Sequence, residues 1–391
     1  MKQYFLRVFI AAYFIVSATC ALAVELSDSA RVSLLTCAPG NELYSCFGHS
    51  GIRVTDYRQG FDVVFNYGTF DYGAPNFYLN FLKGHMIYMI GVDSYRDFYE
   101  SYVYEGRSVY EQVLNLNDSQ RVRIFDFLVN NAKPENRNYR YDFLWDNCAT
   151  RIRDVFEKNI PGVSFDYSTF TDKKSFRTLI NDYSEEHPWE QFGMGLLIGL
   201  PVDRTATPRE ETFLPDYLSE AFAHATIGGR PLAGPRETLL DVKPSGEKTL
   251  DQKITPVMVF GALLLLIVLV TIYEVKRGKY FYAIDIVLLF LAGFFGWQFL
   301  LLGGFTEHTT TQWNLNILWA LPTHLFMAFL APFVRGRRWV QYYFLVSAVL
   351  ASIIVIGWKL LPQHFLLANI LIAAIFAIRS YHIYRVGKLS S

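Results

Sequence analysis

The chain is poor in the residues from which metal, redox and nucleotide sites are built. It holds four cysteines and eight histidines in 391 residues. The histidines are scattered and no Cys-x-x-Cys pair occurs, so no metal motif stands out. No glycine-rich loop follows an apparent strand, which removes the common phosphate cradle of nucleotide enzymes. An excess of either charge is also missing. The 36 Lys and Arg balance 36 Asp and Glu, and there is no basic tail. No overall field therefore recruits nucleic acid. No internal repeat or low-complexity segment is found. With no cofactor, metal or nucleic acid expected, the chemistry falls to the chain's own side chains.

What is present is apolar and aromatic, 52% and 17% of residues, and unevenly spread. Up to about Ile254 the sequence mixes residue types as a globular domain does; beyond it, long apolar runs dominate. The N-terminus reads as a secretory leader over residues 1–23: Lys2 and Arg7, an apolar stretch from Val8 to Val16, then Ala21-Leu22-Ala23 as the cleavage site. The apolar run is short, which favours cleavage over an uncleaved anchor. Cys20 fits a lipoprotein signal poorly and leaves with the leader. Residues 24–250 are then an exported domain and residues 251–391 a membrane domain. Five spans are expected: Val257 to Ile272, Tyr282 to Leu302, Leu315 to Phe333, Val340 to Trp358 and Phe365 to Ile378. Each approaches the roughly 20 apolar residues that cross a bilayer, the last being short. Lys276, Arg277 and Lys279 follow the first span, Arg335, Arg337 and Arg338 the third, and Arg379, Arg385 and Lys388 the fifth. Alternate loops are basic. The positive-inside rule then puts the exported domain outside and the C-terminus in the cytoplasm.

Within the exported domain, Arg31 to Cys37 reads as a strand, and Gly51 to Thr55 and Phe61 to Tyr67 as a hairpin over residues 49–67. Asn76 to Leu82 and Ser94 to Tyr104 read as helices, with strands at Met86 to Val92 and Ser108 to Leu116. Asn117 to Gln120 opens another helix, and residues 173–224 are mostly helical. Once the leader is gone, three cysteines remain. Cys37 and Cys46 are close enough to pair, or are buried small hydrophobes; Cys148 is the thiol left over.

Cys148 follows the capping types Asp146 and Asn147 and precedes an amphipathic run marked by Ile152, Val155 and Phe156. That places the sulfur at a helix start, where unsatisfied N–H groups and the dipole favour thiolate. His49 stands at the head of the hairpin and supplies a base if the strand packs across that helix start. A third polar group would fix the ring. Asn66 on the partner strand is the first choice, with Asp56, Asn147 and Asp71 as rivals.

The order of His49-Ser50-Gly51-Ile52-Arg53-Val54 and, later, Asn147-Cys148 resembles the circularly permuted papain-like superfamily, which includes NlpC-related hydrolases and lecithin–retinol acyltransferase-like enzymes. That resemblance implies Cys148 as nucleophile, His49 as base and Asn66 as the third residue, where the lecithin–retinol group commonly has histidine. A narrower match is to the Lnb family of Bacteroidetes. It is carried by Glu42-Leu43-Tyr44-Ser45, Phe47-Gly48-His49-Ser50, Phe65-Asn66-Tyr67-Gly68-Thr69-Phe70-Asp71, Glu105-Gly106-Arg107-Ser108, Tyr141-Asp142-Phe143 and Asp146-Asn147-Cys148-Ala149-Thr150-Arg151, with Asn314-Leu315-Asn316 near the third span. It implies an α+β exported domain with a permuted papain-like, NlpC-like core, followed by an all-α domain of five membrane helices. The implied activity is lipoprotein N-acyltransfer. An acyl chain passes from a membrane phospholipid, through a Cys148 thioester, to the α-amine of a lipidated lipoprotein.

Further substrate contacts are expected at Tyr44, Arg151, Asn314, Asn316 and His308. Arg151 would bind a headgroup or Asp142, while Arg153 would pair at the surface. Glu307, His308, Asn314 and Asn316 would cluster at the outer membrane surface, with capping and interhelix bonding as the plainer use. His324 is deep enough in the membrane to be functional, and Asp285 would snorkel. Two other readings compete. One is a tethered cysteine peptidase or amidase on cell-wall peptide, which five spans and the lack of a wall-binding module disfavour. The other is an assembly protein with a structural Cys148.

Overall fold

A computed structural model of the chain describes residues 26–243, 249–334 and 336–389. The expected leader, with Cys20, and Arg335 lie outside the described residues. The exported part opens with β1 (Arg31–Cys37), β2 (His49–Asp56), β3 (Phe61–Thr69), α1 (Phe77–Lys83), β4 (Ile87–Ser94), α2 (Tyr95–Glu105) and β5 (Val109–Val113). It continues with α3 (Asp118–Asn131), β6 (Asn138–Arg140), α4 (Cys148–Asn159), β7 (Val163–Ser164), α5 (Phe176–Tyr183) and α6 (Pro188–Leu197). The last elements are α7 (Pro208–Glu211), α8 (Pro215–His224), β8 (Thr226–Ile227), β9 (Arg230–Pro231), β10 (Glu237–Leu240) and α9 (Leu250–Lys253).

Seven strands form one sheet in the order β10-β5-β1-β2-β3-β4-β6, with every neighbouring pair antiparallel. The expected hairpin closes through Gly60 (φ 76°), in register from Ile52 opposite Phe65 to Asp56 opposite Phe61. Alternation sends Ile52, Val54, Phe65 and Tyr67 to one face, where they meet Ile124 and Leu128 of α3, Ala149, Ile152 and Phe156 of α4, and Phe222 of α8. Burying each large apolar side chain there contributes roughly 1.5–3 kcal/mol. The other face carries Leu35, Cys37 and Val64 against Phe98 and Tyr102 of α2. Arg53 lies on that side, 3.4 Å from the centre of the Tyr95 ring, and pairs with Asp62 and Glu111. His49 and Asn66 alternate onto this second face as well.

In the membrane part, four helices are long and apolar enough to cross a bilayer: α10 (Pro256–Arg277), α11 (Tyr282–Phe305), α13 (Arg338–Gly357) and α14 (Leu367–Leu389). The third expected span, Leu315 to Phe333, is not one helix. It breaks into a 3₁₀ turn at Leu315–Leu318 and the short α12 (His324–Val334). At 1.5 Å per residue, the 11 residues of α12 cover about 16 Å, half the hydrocarbon thickness. Pro322 opposes a continuous helix through this stretch. The irregular backbone is shielded because it runs against glycines of α11. A Cβ added at Gly296 would lie 2.0 Å from the Ala320 carbonyl oxygen, and one at Gly293 2.0 Å from the Leu325 nitrogen. Non-helical backbone is tolerated at such depth only when buried in protein.

The last helix also departs from expectation. It runs on past Ile378, since Arg379 is no flanking charge but 2% exposed. Its Nε and Nη2 donate to Asp285 at 2.7 and 2.8 Å, and Nη1 donates to Glu274. Asp285 therefore does not snorkel; it is half of a buried clamp joining α10, α11 and α14. His324 is likewise used within the bundle. Its Nδ1 meets the Tyr343 hydroxyl at 2.7 Å and its Nε2 meets Ser347 Oγ at 3.2 Å.

Candidate active site

The start of α4 is fixed by a reciprocal cap. Asn147 Oδ1 accepts the Thr150 N–H at 2.9 Å, and Thr150 Oγ1 accepts the Asn147 N–H at 2.8 Å. The Asn147 amide nitrogen then donates to the Phe143 and Phe213 carbonyls, both at 2.8 Å. Cys148 is thereby the first residue of the helix, among N–H groups that have no helical acceptor. On the strand side, Gly48 turns the chain into β2 with φ 76°, and a Cβ there would stand 2.7 Å from the Cys37 carbonyl oxygen. Glycine alone fits, and it brings His49 to the end of the sheet where α4 begins.

His49 faces the Cys148 thiol, and the two act on each other through charge and hydrogen bonding. Its Nε2 lies 3.2 Å from Asn66 Oδ1, and Asn66 Nδ2 donates to Asp93 Oδ2 at 2.7 Å. Asp93 accepts, so the Asn66 amide must turn its oxygen to the ring. Nε2 then carries the proton, and Nδ1 is the nitrogen left for the sulfur. Of the four candidates for the third position, only Asn66 meets His49. Asp56 caps a turn through Ser27, Arg58 and Gln59, Asp71 accepts from Gly73, and Asn147 is the helix cap. Asp93 completes a chain that no local pattern in the sequence marks; only the pairing of Asn66 with Gly91 brings it near.

Burial opposes charge on both reacting groups. It pushes the Cys148 thiol up, but the His49 charge and hydrogen bond, with the Ser50 and Ala149 N–H groups, outweigh it and leave the thiol below its ordinary value. Burial likewise pulls His49 down, and the facing thiolate, with the hydrogen bonds the ring donates to Cys148 and Asn66, raises it above its ordinary value. Each shift favours the charged form of its group, thiolate for Cys148 and imidazolium for His49. Cys37 and Cys46 are free and unpaired with each other, and burial pushes each up to about 12.

The thiol opens on a cleft of about 500 Å³ lined largely by apolar groups: Leu43, Phe47, Phe70, Tyr88, Tyr141, Phe143, Met194, Ile198 and Phe213. Thr310, from the loop after α11, also lines it. Exported and membrane parts are joined here: the Gly199 and Leu200 N–H groups donate to the Thr310 and Gln312 carbonyls at 2.8 and 3.1 Å.

Tyr44, 71% exposed, borders the cleft. Arg151 faces away from it. Its guanidinium donates to Asp146 at 2.8 Å and covers the Tyr139 ring at 3.6 Å, so its carboxylate partner is Asp146 and not Asp142. Arg153 pairs in the interior, not at the surface: it is 4% exposed and bonds Asp154, Thr212 and the Arg209 carbonyl. Asn314 and Asn316 do not reach the cleft. Their amides donate to the Leu196 carbonyl at 2.8 and 3.2 Å, and Asn316 Oδ1 accepts from Trp319 at 3.0 Å. They tie the start of the third membrane segment to the last carbonyls of α6. His308 bonds the Phe81 carbonyl at 3.0 Å, and Glu307 pairs with His85 and Arg140. The motif Glu105-Gly106-Arg107 reads either as site lining or as a turn with a salt bridge, and Arg107 does both. It is buried beside the site, donates to Ala38 and Glu105, and lines the cleft.

Two family models match the chain. The one described as the Lnb N-terminal periplasmic domain covers residues 23–181, and the Lnb transmembrane domain covers residues 247–389. Neither the curated proteins nor the solved structures return a match. The two models fall in the expected order, on a periplasmic-type α+β domain followed by a helical domain with four apolar spans. The chain belongs to the Lnb family.

Proposed function

We propose that the chain is a lipoprotein N-acyltransferase of the bacterial inner membrane. The observation that carries this is the Cys148 thiol, facing His49 at a helix start and opening on a largely apolar cleft to which the membrane part contributes Thr310. In the first step Cys148 Sγ attacks the ester carbonyl of a phospholipid. The ester C–O bond breaks, His49 gives its proton to the departing lysophospholipid oxygen, and a thioester remains. In the second step the α-amine of the lipidated N-terminal cysteine attacks the thioester. His49 takes the amine proton, the C–S bond breaks, and the thiolate is restored. The Ser50 and Ala149 N–H groups, which face the sulfur, lie where they can also favour developing negative charge. Asn66 and Asp93 hold the imidazole in register. Both substrates are anchored in the enzyme's own bilayer, and confinement raises their effective concentration.

In this reading the core is a permuted papain-like one, with the cysteine helix packed on an antiparallel sheet that carries the histidine. Residues 24–250 are the catalytic domain in the periplasm and residues 251–391 the membrane domain. The broken third segment makes a fifth crossing, which leaves the C-terminus in the cytoplasm. Mass spectrometry of lipoprotein N-terminal peptides tests the activity. Cells carrying Cys148→Ser as the sole copy should hold diacylated lipoproteins with a free α-amine. Triacylated lipoproteins in that strain would refute it, and Cys148-dependent release of wall fragments would point to an amidase instead.

A further inference from the structure

Helix α1 has seven residues, none buried. Four of its large apolar side chains stand open: Tyr78 (73% exposed), Leu79 (48%), Phe81 (48%) and Leu82 (60%). Such a patch on a short helix is costly in water, so its place in the molecule matters. That place is fixed from below. The Glu307 N–H donates to the Lys83 carbonyl at 2.8 Å, and His308 Nε2 bonds the Phe81 carbonyl at 3.0 Å. Gly84, just after α1, sits so close that a Cβ there would lie 2.7 Å from the His308 nitrogen. Glu307 follows the last residue of membrane helix α11, Phe305, by two positions. Helix α1 is therefore docked on the outer end of a bilayer-spanning helix, at the depth where aromatic side chains gather in membrane proteins.

From α1 an unbroken run of rings leads inward. Tyr78 meets Phe77 at 5.4 Å between ring centres, Phe77 stacks on Phe70 at 5.8 Å, Phe70 meets Tyr88 at 5.0 Å, and Tyr88 stacks on Tyr141 at 4.2 Å. Phe70, Tyr88 and Tyr141 line the cleft that holds Cys148.

We infer that α1 seats its exposed apolar side chains in the outer leaflet and that the aromatic run behind it is the portal by which acyl chains pass from the leaflet to Cys148. The occupant of the patch is the hydrocarbon edge of the bilayer in which the chain itself is embedded. The argument is continuity: α1 is bonded to the end of a membrane helix on one side and meets the cleft on the other. The seat in the leaflet is independent of the chemistry; the portal rests on the proposed acyl transfer.

Two measurements test it in full-length protein reconstituted in phosphatidylcholine vesicles. In the first, spin labels are placed at Tyr78→Cys and Leu82→Cys in a Cys148→Ala background, where Cys37 and Cys46 are buried. A label at Tyr57→Cys, in the turn at the far end of β2, serves as the aqueous control. The two α1 labels should be relaxed by oxygen at least five times more, relative to a water-soluble nickel chelate, than the Tyr57 label. Labels on α1 that match the control overturn the seat. In the second, Tyr78→Asp/Leu82→Asp is compared with the parent chain on two donors: vesicle phospholipid and a soluble short-chain ester that acylates Cys148 directly. The ratio of phospholipid to soluble-ester rate should fall about tenfold, and an unchanged ratio overturns the portal. A parent chain that acylates Cys148 from neither donor would instead defeat the acyltransferase reading while leaving the label result intact.

Discussion

Cys37 and Cys148 are reduced thiols of one domain, and both lie beside His49: Cys37 is its cross-strand partner in the β1–β2 ladder, and Cys148 bonds its ring. Their surroundings drive them apart. Cys37 ends a strand, is packed among Leu35, Val64 and Phe98, and burial holds its thiol at about 12. At pH 7 that leaves about one thiolate in 10⁵. Cys148 is shielded too, but it starts a helix, receives N–H groups from Ser50 and Ala149, and faces the imidazole. Burial alone therefore makes a thiol inert, and a helix start with a paired base reverses it. The contrast shows that distance to the histidine in the sheet is not the deciding variable; the direction of the side chain and the backbone around the sulfur are.

The comparison breaks first if the two thiols exchange roles. Cys148→Ala should lower N-acylation by at least about 10³-fold, as removal of a covalent nucleophile does, while Cys37→Ala leaves it within about twofold. Peptide mass spectrometry of lipoproteins reads both. His49→Ala should cost about 10²–10⁴-fold on the same assay.

Alkylation by iodoacetamide sharpens the contrast without any substrate. At pH 7 Cys148 should react at least about 10²-fold faster than Cys37 in the folded chain. The sign with pH follows from the shifts. The Cys148 thiol lies below its ordinary value because His49 and the N–H groups favour the thiolate, and His49 lies above its own. Reactivity should persist as pH falls below the ordinary thiol range, and should fade only when the lowered thiol is itself protonated. In His49→Ala the titration should move upward. A Cys148 profile that rises only near pH 9 would remove the proposed pair.

Smaller effects are expected farther out. Asn66→Ala should reduce turnover by about tenfold, through loss of the ring's orientation, and Asp93→Asn by only a few-fold. An Asp93 variant that costs more than the Asn66 variant would contradict the order of the chain. Least of all, Cys37→Ser places a hydroxyl among apolar neighbours. It should destabilise the fold by about 1–3 kcal/mol, read as a lowered thermal midpoint, with acylation retained.

Much of the site was legible because it is made of local signals. Asn147 before Cys148 is a cap, and a cap says where a helix starts whatever packs on it. His49 at a hairpin head follows from alternation and the turn at Gly60. Asp93 was not legible, since it reaches Asn66 across a strand pair 27 positions apart. Arg151 and Arg153 were misread because charge in a sequence does not tell whether a partner waits inside. The same holds for Arg379: a basic residue after an apolar run reads as the end of a span, but Glu274 and Asp285 on two other helices keep it in the bundle. The third span failed for a related reason. Its hydropathy is that of a helix, while Pro322 and the glycines of α11 permit an irregular path.

The sequence by itself determined the division into a polar-aromatic domain and a membrane domain, the strand that bears His49, the helix that starts at Cys148 and the family to which both belong. Those are properties of periodicity, capping and composition, each read within a dozen residues. Only the tertiary structure decided which asparagine turns to the imidazole, which thiols stay inert, and that Asn314 and Asn316 of the third membrane segment bond the end of α6. These depend on groups far apart in the chain that share one desolvated space, where a single unpaired donor or charge costs more than the local preference that placed it.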